Sequence, residues 1–106
     1  MPLAVEISLI NTIEGKGLEF ADLNKGGNHD WIVPPPDVLN PYQYFKCECS
    51  GPSSGYEIGI KYGGLICRIL VTAWGIKYRK STPTTRDVEL VQISEKAPYR
   101  MELILI

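Results

Sequence analysis

The sequence predicts an all-β protein, an antiparallel β-sandwich of about seven to nine strands, formed by a single domain over residues 1–106. Three observations lead to this fold class. Apolar side chains recur at every second position in several segments, which places them on one face of a strand. Turn-forming residues separate these segments at short intervals. No stretch of ten or more residues carries apolar side chains at helical spacing.

The first half of the chain predicts four strands, LAVEISLINTI (3–13), LEFADL (18–23), WIV (31–33) and YQYFKCECS (42–50). EGKG (14–17) supplies the glycines of a hairpin turn between the first two strands. NKGGNHD (24–30) is predicted as a second turn-rich loop. Pro34 to Pro36 cannot donate ladder hydrogen bonds, so the chain leaves the sheet there, and DVLNP (37–41) is predicted as a connector.

The second half predicts four more strands, YEIGIKY (56–62), LICRILVTAW (65–74), DVELVQI (87–93) and YRMELILI (99–106). Gly63-Gly64 closes a tight hairpin, and the strand after it is apolar on both sides, which indicates a central position in a sheet. GIKYRKSTPTT (75–85) is predicted as a basic, irregular loop. The segment 99–106 is predicted as an exposed edge strand through which a homodimer could form.

The charge balance and the chain start narrow the functional classes. Eleven basic and twelve acidic residues give a net charge of −1, so the overall field does not steer the protein towards nucleic acid. MPLAVEISLINTIEGKG lacks the basic and apolar regions of a secretory signal, and the apolar runs are too short to cross a bilayer. We therefore expect a cytoplasmic protein, or one released without a classical signal peptide, that becomes peripheral to a membrane on binding.

Three cysteines make an odd count, which is typical of reduced, mostly buried thiols. The spacing leaves two alternatives open. His29 and Cys47 are separated by 18 positions, as are Cys49 and Cys67, so these four side chains could close a tetrahedral zinc site. A disulfide between Cys49 and Cys67 is the other alternative, on the assumption that their strands are neighbours.

No active-site motif is present. The sequence contains no phosphate-binding loop, dinucleotide fingerprint or H-E-x-x-H. GPSSG (51–55) has the letters G-x-S-x-G, but it is predicted as a loop between two strands and not as the strand-to-helix elbow of a hydrolase. A nucleophilic cysteine would need His29 as its base, because the chain has no other histidine. We therefore predict a non-catalytic protein with no metal and no cofactor.

The aromatic residues are more informative. Most of them lie near predicted strand ends, and Trp74 and Tyr78 stand next to Lys77, Arg79 and Lys80. A ring can lie against a choline-like ammonium while a neighbouring cation binds phosphate, and indoles favour the membrane interface. The competing interpretation is that these rings fill the core or cover its ends.

The order of several motifs resembles the actinoporin-like superfamily, which includes sea-anemone actinoporins, fungal fruit-body lectins and aegerolysins. The motifs that carry the resemblance are Ile-Asn near residue 10, Gly-Gly ahead of Trp31, PPPDVLNP, the loop GPSSG, the strand YEIGIKY, and ILVTAW followed by a tyrosine-bearing loop. The resemblance covers about half of the chain. It implies a β-sandwich that binds sphingolipid headgroups or sugars.

By this resemblance Ser53, Ser54, Trp74 and Tyr78 are expected to line the site, together with Tyr56. The cationic residues Lys77 and Arg79 complete the predicted ligand-binding set. Actinoporins insert an N-terminal amphipathic helix, whereas here a strand is predicted from residue 3, so the aegerolysin role fits better: lipid binding, with a larger partner protein for pore formation in a cytolytic system. The alternatives are a carbohydrate-binding lectin, or an interaction or inhibitor protein that acts through an exposed loop such as 75–85.

Overall fold

A computed structural model describes residues 2–15, 17–23 and 27–106. Across these ranges the chain is all β, and it has no helix long and apolar enough to span a membrane. The described residues form ten strands: β1 (Leu3–Asn11), β2 (Leu18–Asp22), β3 (Asp30–Val33), β4 (Val38–Leu39), β5 (Tyr44–Gly51), β6 (Tyr56–Tyr62), β7 (Leu65–Thr72), β8 (Gly75–Ser81), β9 (Val88–Ser94) and β10 (Tyr99–Leu105).

The strands form two five-stranded sheets that pack as a sandwich, which confirms the predicted fold class. Sheet 1 has the order β3-β5-β1-β10-β9, and sheet 2 has the order β4-β2-β6-β7-β8. The pairing is antiparallel except between β1 and β10, which run parallel with Val5 opposite Tyr99. The sandwich is therefore mixed at the centre of sheet 1.

The core follows from the two-residue alternation. The inward positions of β1 are Val5, Ile7 and Leu9, all fully buried. Asn11 takes the next inward position and is also fully buried, but its side chain donates to the Leu39 carbonyl at 3.0 Å and accepts from the Ile13 amide at 2.9 Å. Because these bonds satisfy the amide, a polar residue closes the strand without an unpaired buried group.

Tyrosine hydroxyls link the two sheets across the core. Tyr56 of β6 donates to the Leu3 carbonyl at 2.7 Å, and Tyr99 of β10 donates to the Thr72 carbonyl at 2.8 Å. Each ring supplies apolar volume inside the core while its hydroxyl binds backbone at the edge. These two tyrosines fix the same end of both sheets together.

The first predicted hairpin is wrong, and so is the interpretation of residues 37–41 as a connector alone. β1 and β2 belong to different sheets, so they do not form a hairpin with each other. Val38 and Leu39 form the short strand β4, which pairs with β2. Lys16 of the predicted turn and residues 24–26 of the predicted loop lie outside the described residues.

The predictions for residues 75–85 and 99–106 also need correction. Gly75–Ser81 forms β8, an edge strand paired with β7, and only residues 82–87 are irregular. An edge strand can carry polar groups on both faces, which removes the alternation that identifies a strand. β10 is not an edge, because β1 and β9 occupy both of its sides, so no homodimer can form by strand pairing there.

One end of the sandwich gathers three connections. Tyr56 pairs with Val71, so the β5–β6 turn lies beside the β7–β8 turn. The hydrogen bond from Tyr99 to Thr72 brings the β9–β10 loop to the same place. We call this the Trp74 end, after the residue at the tip of the β7–β8 turn.

Candidate functional site

The β7–β8 turn presents Trp74 almost entirely to solvent. The Thr72 hydroxyl donates to the Gly75 carbonyl at 2.9 Å and accepts from the Trp74 amide at 3.3 Å, which holds the turn closed. Gly75 has a φ of +147°, a conformation that suits glycine. The indole of Trp74 is 96% exposed and therefore adds nothing to the core.

Trp31, the other tryptophan, is different. Its ring is partly buried against the core, and its indole nitrogen donates to Asp22 Oδ2 at 3.1 Å. The His29 imidazole meets it edge-on with 6.1 Å between ring centroids. Trp31 therefore has a structural role, and Trp74 is the tryptophan that is exposed.

The predicted basic residues of β8 lie on different faces of sheet 2. Lys77 lies opposite Leu70 and Arg79 lies opposite Arg68, so all four belong to the outer face of sheet 2. Tyr78 pairs with Ile69 and therefore points towards the other side of the sheet, where it remains partly exposed at the open edge of the sandwich. The sequence predicts Lys77, Arg79 and Lys80 together, whereas the register places Lys80, opposite Cys67, on the other face.

Two shallow cavities cover this outer face. The first has a volume of about 260 Å³ and is lined by Glu57, Arg68, Leu70, Lys77, Tyr78 and Arg79. The second, of about 360 Å³, lies between Trp74 and Lys77. Leu70 and Lys77 line both cavities, so the two form a continuous surface. We call it the hairpin surface and define it by Arg68, Leu70, Trp74, Lys77 and Arg79.

The charges of the hairpin surface are only partly neutralised. Arg68 forms an ion pair with Glu57 at 3.3 Å between Nη1 and Oε1. Within the ranges that the structure describes, neither Lys77 nor Arg79 forms an ion pair. Lys80, on the opposite face, instead binds Asp87 at 2.8 Å, and this hydrogen bond holds the pKa of that carboxyl below its usual value.

The predicted serine loop reaches the Trp74 end, but Tyr56 does not join it. Ser53 and Ser54 are exposed in the β5–β6 turn. Tyr56 is 3% exposed, and its hydroxyl already binds the Leu3 carbonyl. Its ring is core, so the expectation that it lines a surface site with the serines is wrong.

A separate polar cavity of about 350 Å³ lies beside the serine loop. Its polar lining comes from Asn28, Asp30, Ser50 and Ser53. It opens at the β3–β5 side of sheet 1, whereas Trp74 and the cations belong to sheet 2. The predicted site residues therefore fall into two surfaces, and the serines and the cations do not form one pocket.

The thiols are buried and free, as predicted. Cys47, Cys49 and Cys67 are almost fully buried, and burial raises the pKa of each thiol to about 12. Cys49 and Cys67 lie in different sheets, so they are not on neighbouring strands as the disulfide alternative required. In the described part of the chain, no three His, Cys, Asp or Glu side chains come together to hold a metal ion, so the zinc alternative is also wrong.

Sequence reasoning missed Arg68, Leu70 and Glu57. Arg68 was visible as a charged residue in an apolar strand, but its position opposite Arg79 depends on the β7–β8 register. That register could be assigned only by treating 75–81 as a strand and Ala73-Trp74 as the turn. The available signal was short: Ile76 and Tyr78 alternate with Lys77 and Arg79, but Lys80 ends the pattern.

No protein-family model matches the chain, and no curated protein is significantly similar to it in sequence. The geometry of the hairpin surface therefore carries the functional argument.

Proposed function

We propose that the protein is a non-catalytic module that binds a lipid headgroup at a membrane surface through the hairpin surface. The observation that carries the proposal is the position of Trp74: an indole 96% exposed at a hairpin tip that lines one cavity with Lys77, next to Arg79 on β8, and neither cation has an ion-pair partner among the described residues. Tryptophan is usually highly buried, and it is enriched at interfaces where one end of the ring is apolar and the other wet.

The chemistry of the surface suits the boundary between lipid and water. An indole places its apolar body among acyl chains and headgroups and its N–H in the wet layer. Leu70 is 41% exposed and lengthens the apolar part towards the cations. Lys77 and Arg79 then face the phosphate layer, where basic residues are attracted to anionic lipid.

The energies are consistent with reversible docking. Burial of an indole removes roughly 200 Å² from water, which at about 25 cal/mol per Å² gives at most about 5 kcal/mol. Each well-placed cation adds about 1 kcal/mol on an anionic surface. The cost of orienting the protein offsets part of this gain, so we expect a module that binds and releases.

The resemblance to actinoporin-like proteins supports the same function. It implies a β-sandwich with an aromatic loop after a strand that ends in tryptophan. This chain is a sandwich whose Trp74 lies in the turn after β7, although Tyr78 lies in β8 and not in a loop. If the chain acts as aegerolysins do, it binds the membrane and a larger partner protein forms the pore.

Vesicle co-sedimentation tests the proposal. The wild-type chain, Trp74→Ala and Trp31→Phe are compared on phosphatidylcholine vesicles, alone and with sphingomyelin or phosphatidylserine. We expect Trp74→Ala to weaken binding about 10- to 100-fold without changing the circular dichroism spectrum, because the ring is absent from the core. Trp31→Phe is the matched control, since it also removes an indole.

Fluorescence adds a second measurement. In Trp31→Phe the only remaining indole is Trp74, and its emission should shift to shorter wavelength when binding vesicles are added. If wild type and Trp74→Ala sediment equally on every vesicle, or if the emission does not change, the proposal is wrong.

Carbohydrate binding is the second candidate, favoured by the polar cavity of Asn28, Asp30, Ser50 and Ser53. Amide, carboxylate and hydroxyl groups can bind the hydroxyls of a sugar. A glycan array separates the two functions. Binding that Asp30→Asn abolishes and Trp74→Ala leaves intact would establish a lectin in place of a lipid-binding module.

A further inference from the structure

Two arginines face each other on the hairpin surface. Arg68 of β7 and Arg79 of β8 are direct cross-strand partners in the antiparallel register. Like charges directly opposite in a ladder are destabilising, and the Glu57 carboxylate compensates Arg68 but not Arg79. Lys77 stands on the same face of β8, two residues from Arg79, and increases the repulsion.

The cavity over these residues carries a net positive charge. Its charged lining consists of Arg68, Lys77 and Arg79 against the single carboxylate of Glu57, so three positive charges minus one negative leave +2. The ion pair of Glu57 with Arg68 engages one guanidinium only. Arg79 and Lys77 have no ion-pair partner in the described ranges, so their donors are available to a ligand.

We propose that this cavity is a subsite for the dianionic phosphoryl group of a phosphate monoester. Such a group carries about −1.5 to −2 charges at pH 7, which matches the +2 of the lining, whereas a phosphodiester carries −1. A guanidinium group can donate two parallel hydrogen bonds to the oxygens of one phosphate, and Lys77 adds a compact positive charge. The volume of about 260 Å³ suits one small charged group.

A row of cations on an edge strand can also act as protection against strand pairing between molecules. That role accounts for Lys77 and Arg79, which lie on β8. It does not account for Arg68, because β7 is flanked by β6 and β8 and has no free edge. The facing arginines therefore favour a bound anion.

The inference deepens the proposed function and rests on it where the phosphoryl group belongs to a lipid. The same chemistry is available from a free phosphate monoester or from inorganic phosphate. The experiment therefore has two arms, one without a membrane and one with vesicles, so that the source of the group can be identified.

The first arm is a titration with inorganic phosphate at pH 7, followed by amide chemical shifts, with chloride at equal ionic strength as reference. We expect shifts confined to residues 66–70 and 76–80. Arg68→Gln and Arg79→Gln should each weaken binding at least tenfold. Lys61→Gln is the matched control: it removes the same charge from β6 of the same sheet outside the cavity, and should change binding less than twofold.

The second arm compares vesicles that contain phosphatidic acid, a monoester, with vesicles that contain phosphatidylserine, a diester, at equal surface charge. A lipid source predicts at least tenfold tighter binding to phosphatidic acid, and Arg79→Gln should abolish the preference. Localised phosphate shifts without this preference identify a free phosphate as the source and support the subsite.

The subsite is refuted if phosphate acts no differently from chloride and the two vesicles bind equally. It is also refuted if Lys61→Gln weakens binding as much as Arg79→Gln, because binding then depends on the total positive charge of the sheet and not on the cavity. Trp74→Ala distinguishes failure of the subsite from failure of the proposed function. Trp74 does not line the cavity, so we expect this variant to lose vesicle binding and to keep the phosphate titration unchanged.

Discussion

Gly51 shows how a single residue in the loop GPSSG serves packing. A Cβ atom on Gly51 would lie 2.4 Å from Cδ1 of Tyr56. That ring cannot move away easily, because its hydroxyl binds the Leu3 carbonyl and its face stacks on His29 with 6.0 Å between centroids. The backbone at Gly51 is therefore covered by the chain's own tyrosine ring and is closed to a ligand on that side.

We therefore expect Gly51→Ala to lower the free energy of unfolding by about 1–3 kcal/mol, the usual cost of forcing extra volume into a packed site. Gly64→Ala is the matched control. Its Cβ would meet only Pro83 at 3.4 Å, an ordinary contact, and its φ is not positive, so we expect a change within about 0.5 kcal/mol. Urea denaturation measures both, and equal values for the two variants would contradict the packing argument.

The buried thiols make stability depend on alkaline pH. Burial raises the pKa of Cys47, Cys49 and Cys67 from an ordinary value of 9.0 to about 12, so the folded chain holds protons that the unfolded chain releases. The stabilisation is complete below about pH 9 and is lost as pH rises towards 12. Burial raises the pKa of Tyr56 and Tyr62 as well, which acts in the same direction.

Urea denaturation at pH 7, 9 and 10.5 measures this dependence. We expect the free energy of unfolding to be only slightly lower at pH 9 than at pH 7, and then to fall by up to about 1.4 kcal/mol per pH unit for each thiol. Cys67→Ala should reduce the alkaline slope by one thiol's share, whatever it does to stability at pH 7. A free energy that stays constant from pH 9 to 10.5 would show that the thiols ionise equally in both states.

At the scale of strands, alternation predicted the elements that have one buried face. β1, β6 and β7 were found from their own residues, and so was the Gly63-Gly64 hairpin. β8 was missed because an edge strand has only one neighbour and tolerates Lys77 and Arg79 on one face with Lys80 on the other. β4, with two residues, is too short for any periodic signal.

The pairing of strands was less accessible to sequence reasoning than their existence. β1 pairs in parallel with β10, and Thr12 also binds the Leu105 carbonyl, 93 positions away, at 2.6 Å through its side chain. No local pattern encodes a contact of that separation. The assignment of 99–106 to an edge failed for this reason, as did the hairpin proposed at EGKG. The hairpin surface was predicted in part, because Trp74, Lys77 and Arg79 are near one another in sequence. Arg68 joins them only through the pairing of β7 with β8.

At the scale of the molecule, the net charge is −1, but the outer faces of the two sheets differ in how their basic residues are compensated. On the outer face of sheet 1, Glu6 lies between Lys46 and Arg100, at 3.4 and 3.8 Å, so basic charges there are partly compensated. On the outer face of sheet 2, Lys77 and Arg79 have no such partner among the described residues. An anionic membrane would therefore attract the sheet 2 face.

This distribution restricts how the protein can dock. A strand rises about 3.3 Å per residue, so Arg79 lies roughly 17 Å along β8 from Trp74. The headgroup layer of one leaflet is only about 6 Å thick. If the sandwich stood upright on its Trp74 end, Arg79 would be well beyond the headgroups. Trp74 and Arg79 reach the bilayer together only if the outer face of sheet 2 lies against it.

Two labelled variants distinguish these orientations. Because the native thiols are buried, an introduced exposed cysteine can be labelled selectively with an environment-sensitive fluorophore. Ser81→Cys places the label on the outer face of β8, far from the tip, and Lys96→Cys places it in the β9–β10 loop at the Trp74 end. We expect vesicles to shift the emission of the Ser81 label and leave the Lys96 label unchanged. The reverse pattern would mean upright docking, in which Trp74 inserts and the cations of β8 take no part.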